Sequence, residues 1–154
     1  MVTRADVVES AQSWLGTKFK HQGRGPEGMD CCGLVIRVAN DLGLSDYDVK
    51  AYTRMGTGID FVGQFDMNMT RKSPVPTPVS WPGVALPGDV LLFRDRRFTI
   101  HAAILVEIDP KPKIIHAYAK RREVAYDFPM DYRDEQGLLY DRVTRVYEFK
   151  GLEK

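Results

Sequence analysis

Apolar residues recur at the spacing of a helix in three stretches of the first half of the chain. The first stretch, residues 3–15, starts at a potential N-cap, Thr3, and carries Asp6 in its first turn, a capping-box arrangement. Residues 31–42 and residues 57–70 also place apolar positions three or four residues apart. The pattern predicts three helices.

The second half of the chain carries short runs of β-branched and aromatic residues, separated by turn-forming residues. Between the halves, residues 73–88 hold five prolines and two glycines, which predicts a surface connection without regular structure. Helices followed by strands indicate an α+β fold, with N-terminal helices packed on a C-terminal antiparallel β-sheet. The predicted strands cover residues 90–93, 100–108, 114–119, 123–128 and 139–149.

Length and composition narrow the class of protein. A chain of 154 residues is expected to form one domain, residues 1–154. Its core should be large enough to be stable without disulfides or structural metal ions. The net charge is +1 and there is no long run of basic residues, so the clustered positive charge typical of a nucleic-acid binder is missing. No apolar stretch approaches the roughly 20 residues of a membrane span, and the N-terminus has no apolar signal core. The chain is therefore expected to stay where it is made unless another component carries it out.

The two cysteines are adjacent, which makes a structural disulfide between them unfavourable. Cys31 follows a glycine-rich loop and a predicted N-cap, Asp30, and so lies in the first turn of the second helix. Free amides and the helix dipole favour a negative charge there, and the thiolate is the reactive form of cysteine. Gly33 leaves the helix start open to close approach. Cys31 is thus a candidate nucleophile, with a packed structural cysteine as the alternative.

Two histidines lie in consecutive predicted strands. If these strands form a hairpin centred near residues 108–109, His101 lies opposite His116 or Ala117, with side chains about 5 Å apart. A base whose ring is held by a second polar residue is what nucleophilic catalysis requires. The alternative is a pair of unrelated sheet histidines, because a slip of one residue would place one ring on the other face.

Two cysteines and two histidines also raise the possibility of a zinc module. Structural zinc sites usually space paired ligands two to four residues apart, whereas these cysteines are adjacent and the histidines are fifteen residues apart. The spacing fits zinc poorly. We therefore expect neither a metal site nor a cofactor.

Five segments together resemble the NlpC-type peptidoglycan endopeptidases. The block Asp-Cys-x-Gly-Leu around Cys31 is fairly specific, and a Gly-Asp strand and a histidine strand follow at suitable distances. The resemblance extends over roughly residues 5–120. Residues 20–23, together with the N-terminus, look like the phage-encoded branch of the family. The segments are residues 14–19, 28–35, 87–93, 101–104 and 115–117.

The resemblance implies a papain-like core in which Cys31 is the nucleophile, His101 the general base and His116 the residue that orients it. The implied substrate is the stem peptide of peptidoglycan, cut at an amide bond. The phage-like branch implies a place in the virion tail with tail proteins as partners; a cytoplasmic protein is the alternative.

Four further residues are implied or expected to contact the substrate. Asp30 is expected to meet a free amine of the stem peptide in addition to capping the helix, and His21 to line the cleft. Cys32 stands where many relatives have Ser, and Phe19 where they often have Tyr. These two replacements leave open a second function, a structural tail component with weak or no activity.

Overall fold

The computed structural model describes residues 1–48, 58–72 and 81–153. The three predicted helices are confirmed. Thr3 accepts a hydrogen bond from the amide of Asp6 and Asp6 returns one to the Thr3 amide, so the predicted capping box starts the first helix. Residues 73–80 of the predicted connection lie outside the described residues. The helices are α1 (Arg4–Gln12), α2 (Cys31–Asp41) and α3 (Gly58–Asn68).

Six strands form one antiparallel sheet in the order β3-β10-β4-β5-β6-β7. Two further two-stranded hairpins, β1 with β2 and β8 with β9, lie outside that sheet. The first two strands are β1 (Arg24–Gly25) and β2 (Gly28–Met29), and the others are β3 (Thr70–Arg71), β4 (Val90–Asp95), β5 (Phe98–Glu107), β6 (Lys113–Tyr118), β7 (Glu123–Asp127), β8 (Arg133–Asp134), β9 (Gly137–Leu138) and β10 (Val143–Glu148).

The predicted α+β architecture is confirmed, with two corrections to its elements. The last strand was expected from residue 139, but Leu139–Arg142 forms a 3-10 turn and β10 starts only at Val143. Apolar character alone does not distinguish such a turn from a strand. The predicted loop over residues 20–29 contains the small hairpin of β1 and β2, whose two-residue strands are too short for an alternating pattern.

Apolar side chains pack on both faces of the six-stranded sheet. One cluster joins the helices to alternate residues of the central strands, as at Val38, Leu92 and Ile104. The second cluster contains the intervening residues, such as Phe93, and packs under Trp81. Burial on both faces explains why β4 and β5 are nearly continuous runs of apolar residues rather than alternating ones.

The β5–β6 hairpin is longer than the sequence suggested. Glu107 pairs with Lys113, so the turn is centred on Pro110 rather than on residues 108–109. The expectation that His101 lies directly opposite His116 or Ala117 is therefore wrong in register.

A buried ion cluster joins α1 to the sheet. Asp89 is fully buried and accepts hydrogen bonds from Arg4 at 2.6 Å and Lys72 at 2.9 Å, and from the amide of Leu86 at 2.9 Å. Arg4 also pairs with Glu148 on β10. The bond from Leu86 shows that Asp89 also stabilises the turn before β4. We call Arg4, Lys72, Asp89 and Glu148 the buried ion cluster.

No helix within residues 1–48, 58–72 and 81–153 is both long and apolar enough to cross a bilayer.

Candidate active site

The start of α2 is fixed by a side-chain cap and a close backbone approach. Asp30 Oδ1 accepts the amide of Gly33 at 2.8 Å, which satisfies one of the free donors of the first turn. A Cβ on Gly33 would lie 2.1 Å from the carbonyl oxygen of Gly23, so only glycine allows the preceding loop to pack here. The Asp-Cys-x-Gly pattern therefore places Cys31 in the first turn, beside a tightly packed loop.

Cys31 and Cys32 are both free thiols and both partly exposed. The hydrogen bond from Cys32 lowers the pKa of Cys31 most; burial opposes it, and the contact with His101 lowers it further, to about 5. Cys32 shows the opposite shift, because its hydrogen bond to Cys31 and burial raise its pKa. The two adjacent sulfurs are thus differentiated, and Cys31 is the one that is ionised at neutral pH.

The two histidines meet on one face of the sheet. Ile104 pairs with Ile115, and continuing this register places His101 across from Tyr118, two residues beyond His116. An offset of two residues keeps the same face, and diagonal neighbours are within reach of long or aromatic side chains. His101 Nε2 lies 2.8 Å from His116 Nδ1. The predicted contact is present, although the predicted register is not.

The hydrogen-bonded series continues to a carboxylate. His116 Nε2 lies 2.7 Å from Asp127 Oδ2, and Asp127 is 6% exposed. Arg121 reaches the same carboxylate in bidentate fashion, with Nε 3.0 Å from Oδ2 and Nη2 2.5 Å from Oδ1. We call Cys31, His101, His116 and Asp127 the histidine relay.

Sequence reasoning missed Asp127, although the register of the next hairpin contains the signal. His116 pairs with Ala125 across β6 and β7, so Asp127 is its diagonal neighbour on the same face. The residue lies within the predicted strand 123–128. Following the pairing of β5 with β6 and then of β6 with β7, starting from His101, would have predicted that Asp127 belongs to the site.

Burial favours the neutral form of both imidazoles. It lowers the pKa of His101 more than the contact with Cys31 raises it. It also lowers the pKa of His116 more than the hydrogen bond to Asp127 raises it. Burial alone would raise the pKa of Asp127, but the bonds from His116 and Arg121 outweigh it and leave that pKa below its usual value. In its neutral form each ring carries one proton, and the ring of His116 faces an ionised carboxylate.

Two tyrosines cover the rings. The ring of Tyr118 stacks on His116 with centroids 4.7 Å apart and lies 4.9 Å from the centroid of His101. Tyr132, from the segment before β8, packs edge-on against Tyr118 at 5.9 Å. Neither tyrosine was singled out from the sequence. Their rings restrict the orientations that the imidazoles can adopt.

The structure assigns local contacts to the expected substrate-binding residues. Asp30 is 4% exposed and also accepts the amide of Gln22 at 2.8 Å, so it ties the loop to the helix as well as capping it. His21 Nδ1 lies 3.8 Å from Asp30 Oδ2. Phe19 is half-buried against the core, and its amide donates to Arg122. Their contacts with substrate, and that of Cys32, stay predictions.

Within the described parts of the chain, no group of three or more histidine, cysteine or acidic side chains is arranged to hold a metal ion. The site instead combines a thiol with a lowered pKa, an imidazole in contact with it and a second polar group on that imidazole. This is the arrangement used for acyl transfer through a thiolate.

A helix carrying the thiol, packed on an antiparallel sheet that carries the imidazoles, defines a papain-like α+β fold. The chain belongs to the NlpC/P60 family, whose model matches residues 16–135.

Solved structures agree with this fold. The NlpC/p60 domain of the peptidoglycan hydrolase SagA is 24% identical, with a TM-score of 0.55 over 82% of this chain and 90% of that chain. An N-acetylmuramoyl-L-alanine amidase from Bacteroides uniformis is 12% identical, with a TM-score of 0.64 over 96% and 98% of the two chains. NlpC2 from Trichomonas vaginalis is 18% identical with a TM-score of 0.64 over 97% of this chain, which spans 48% of that one. No curated protein sequence is significantly similar to the chain.

Proposed function

We propose that the protein is a cysteine peptidase that hydrolyses amide bonds in the stem peptides of bacterial peptidoglycan. The observation that carries the proposal is the 2.8 Å contact of His101 Nε2 with His116 Nδ1, next to a thiol, Cys31, whose pKa is lowered in part by His101. Membership of the NlpC/P60 family and similarity to a peptidoglycan hydrolase support the substrate class.

In the proposed reaction, the proton of the Cys31 thiol passes to His101 and the thiolate attacks the scissile carbonyl carbon. His101 Nε2 is occupied by His116, so Nδ1 is the nitrogen that faces the sulfur. The imidazolium then protonates the leaving amine, and an acyl-enzyme thioester remains. Neutral His101 takes a proton from water, the resulting nucleophile attacks the thioester, and Cys31 is released.

The first turn of α2 also supplies donors for the oxyanion. The amides of Gly33 and Leu34 are taken by Asp30, at 2.8 Å and 3.0 Å. The amides of Cys31 and Cys32 therefore remain as first-turn donors without a partner among the described residues. Donors of this kind are typically worth about 3 kcal/mol each in the transition state.

The proposal is tested by incubating the purified protein with insoluble peptidoglycan and with a soluble stem peptide, and by measuring new amine and carboxyl termini by mass spectrometry. We expect turnover by the native chain and a loss of about 10⁴-fold or more in Cys31→Ala, because the nucleophile is removed. Cys32→Ala is the matched variant. It keeps the Cys31–His101 pair and is expected to retain turnover at a reduced rate.

Equal activity in Cys31→Ala and the native chain would show that Cys31 is not the nucleophile. No turnover by the native chain on either substrate, together with tight binding to tail proteins, would favour the structural role. Cleavage by Cys31→Ala that disappears in Cys32→Ala would transfer the nucleophilic role to the neighbouring thiol.

We also propose that the protein acts as a component of a phage-type tail and opens the wall during DNA entry. The support is the resemblance of residues 20–23 to the phage-encoded branch. Mass spectrometry of purified virions or tail particles tests this location. Detection at a fixed copy number per particle is expected, and its presence only in the soluble fraction of the host would contradict the proposal.

A further inference from the structure

The hydrogen bonds of the histidine relay are all donated in one direction. This direction is set by Asp127, the member farthest from the Cys31 sulfur. An ionised carboxylate only accepts hydrogen bonds, so His116 Nε2, 2.7 Å from Asp127 Oδ2, must carry the proton of that ring. The ring is neutral, so its Nδ1 is bare. His101 Nε2, 2.8 Å away, must then be the donor, and His101 Nδ1 is left bare toward Cys31.

These two hydrogen bonds are compatible with both protonation states of the Cys31–His101 pair. When Cys31 is a thiol, the bare Nδ1 of His101 accepts its proton. When Cys31 is a thiolate, that proton resides on Nδ1, and the two bonds from His101 to His116 and from His116 to Asp127 are unchanged. A proton on Nδ1 of His116 instead of Nε2 would reverse the bond to His101 and leave Nε2 with no proton to donate to Asp127. His101 would then carry its own proton on Nδ1, where it could not accept the proton of the thiol.

We propose that Asp127, oriented by Arg121, is a positioning residue that fixes the tautomers of both His116 and His101. This inference rests on the proposed function. It adds to the three-residue site a fourth residue, which never touches the substrate and acts through two rings. Arg121 contributes because its two donors hold both oxygens of the carboxylate and thereby fix its plane.

Asp127→Asn is the most informative variant. Arg121 lies closer to Oδ1, at 2.5 Å, than to Oδ2, at 3.0 Å, so the amide oxygen is expected to take the Oδ1 position. The amide nitrogen then faces His116 Nε2 as a donor, and both tautomers reverse. We expect kcat to fall about 10²-fold or more with KM nearly unchanged, since loss of the correct tautomer through a similar change costs about 10⁴-fold in Ser-His-Asp enzymes.

A second substitution tests the role of Arg121. Arg121→Met alone leaves the carboxylate in place and is expected to lower kcat less than about tenfold. In the Asp127→Asn background, the same substitution frees the amide to turn its oxygen toward His116, and we expect kcat to rise. A double variant less active than Asp127→Asn alone would overturn the role given to Arg121.

The tautomers can be measured without any activity. In a Cys31→Ala protein labelled with ¹⁵N-histidine, nitrogen shifts and proton couplings at neutral pH report which nitrogen of each ring is protonated. We expect Nε2 protonation in both His101 and His116, and Nδ1 protonation in both after Asp127→Asn. Asp131→Asn, which removes an exposed partner of Lys111, is the matched control and is expected to change neither ring.

Failure of this inference and failure of the proposed function are distinguishable. Unchanged tautomers and unchanged kcat in Asp127→Asn, in an enzyme that still depends on Cys31, would overturn the role of Asp127 alone. Reversed tautomers in a protein that hydrolyses no peptidoglycan would keep the positioning role and remove the proposed substrate.

Discussion

Two of the buried aspartates, Asp89 and Asp127, lie in or beside the same sheet but in opposite kinds of surroundings. Asp89 is surrounded by Arg4, Lys72 and a backbone amide, and both of its oxygens accept from these donors, none of which is a reactive group. Asp127 is also held by a cation, but its second bond leads through two imidazoles to a partly exposed sulfur. Burial of a carboxylate therefore does not by itself indicate a functional site. What indicates one is a connection from the carboxylate to a reactive group that is accessible to substrate.

The two regions also differ in what their charges do to proton affinity. In the buried ion cluster, opposite charges compensate one another and hold α1 to the sheet. In the histidine relay, neighbouring bonds lower the pKa of one thiol and raise that of the next. The first region should thus respond to substitution with a loss of stability, and the second with a loss of activity.

The largest expected effect is on activity, and it distinguishes the histidine relay from the buried ion cluster. His101→Gln removes the proposed base of Cys31, and we expect kcat/KM on peptidoglycan to fall about 10³-fold. The thermal midpoint should change little, because the glutamine amide can still bond to His116. Asp89→Asn, assayed on its folded fraction, is the comparison and should stay within about tenfold of the native rate. Similar losses in both variants would show that the two regions are not separable.

The next effect is on stability. Asp89→Asn leaves Arg4 and Lys72 without their shared buried counter-charge, so we expect the free energy of unfolding in urea to drop by about 3 kcal/mol. Asp41→Asn is the matched control, because Asp41 forms an exposed pair with Arg37 one turn away, and its loss should cost about 0.5 kcal/mol or less. Equal costs for the two variants would contradict the importance assigned to burial.

The pH dependence of thiol alkylation comes third. Because the pKa of Cys31 is lowered to about 5, its thiolate is fully formed above that pH and is lost as the pH falls through about 5. Iodoacetamide followed by peptide mapping should therefore modify Cys31 at pH 6 to 7 and leave Cys32 largely unmodified. A transition for Cys31 near that of a free thiol would refute the differentiation of the two sulfurs.

Removing the neighbouring thiol sharpens the same measurement. In Cys32→Ala, the hydrogen bond to the Cys31 thiolate is lost, and a bond of this kind to a charged group is worth about 1.5 kcal/mol. The transition of Cys31 should move upward by about one pH unit. Cys32→Ser restores a donor and should move it back toward the native position.

The smallest effect concerns the helix that brings Arg4 to the buried ion cluster. Thr3→Ala removes the side-chain cap of α1 and should cost about 1 kcal/mol of stability, while Thr3→Ser should restore most of it. The alkylation transition of Cys31 should be the same in all three proteins. A shift of that transition in Thr3→Ala would indicate that the two regions are coupled through the sheet.

Much of the site could be predicted from local sequence because its parts lie at ends of regular elements. Asp30, Cys31 and Gly33 are adjacent in the chain, and the cap, the first turn and the close approach of the loop follow from that order. The contact between His101 and His116 was predicted through a hairpin with the wrong centre. It survived because an error of two residues preserves the face of a strand.

By itself, the sequence determined three helices, the main strands and the candidates for the nucleophile and its base. Helical and strand periodicities and helix caps are local properties of the chain. Only the tertiary structure decided that Asp127 joins the histidine relay and that Asp89 belongs to an ion cluster. These contacts depend on strand register and on the burial of charges, and both are set by packing between segments distant in the chain.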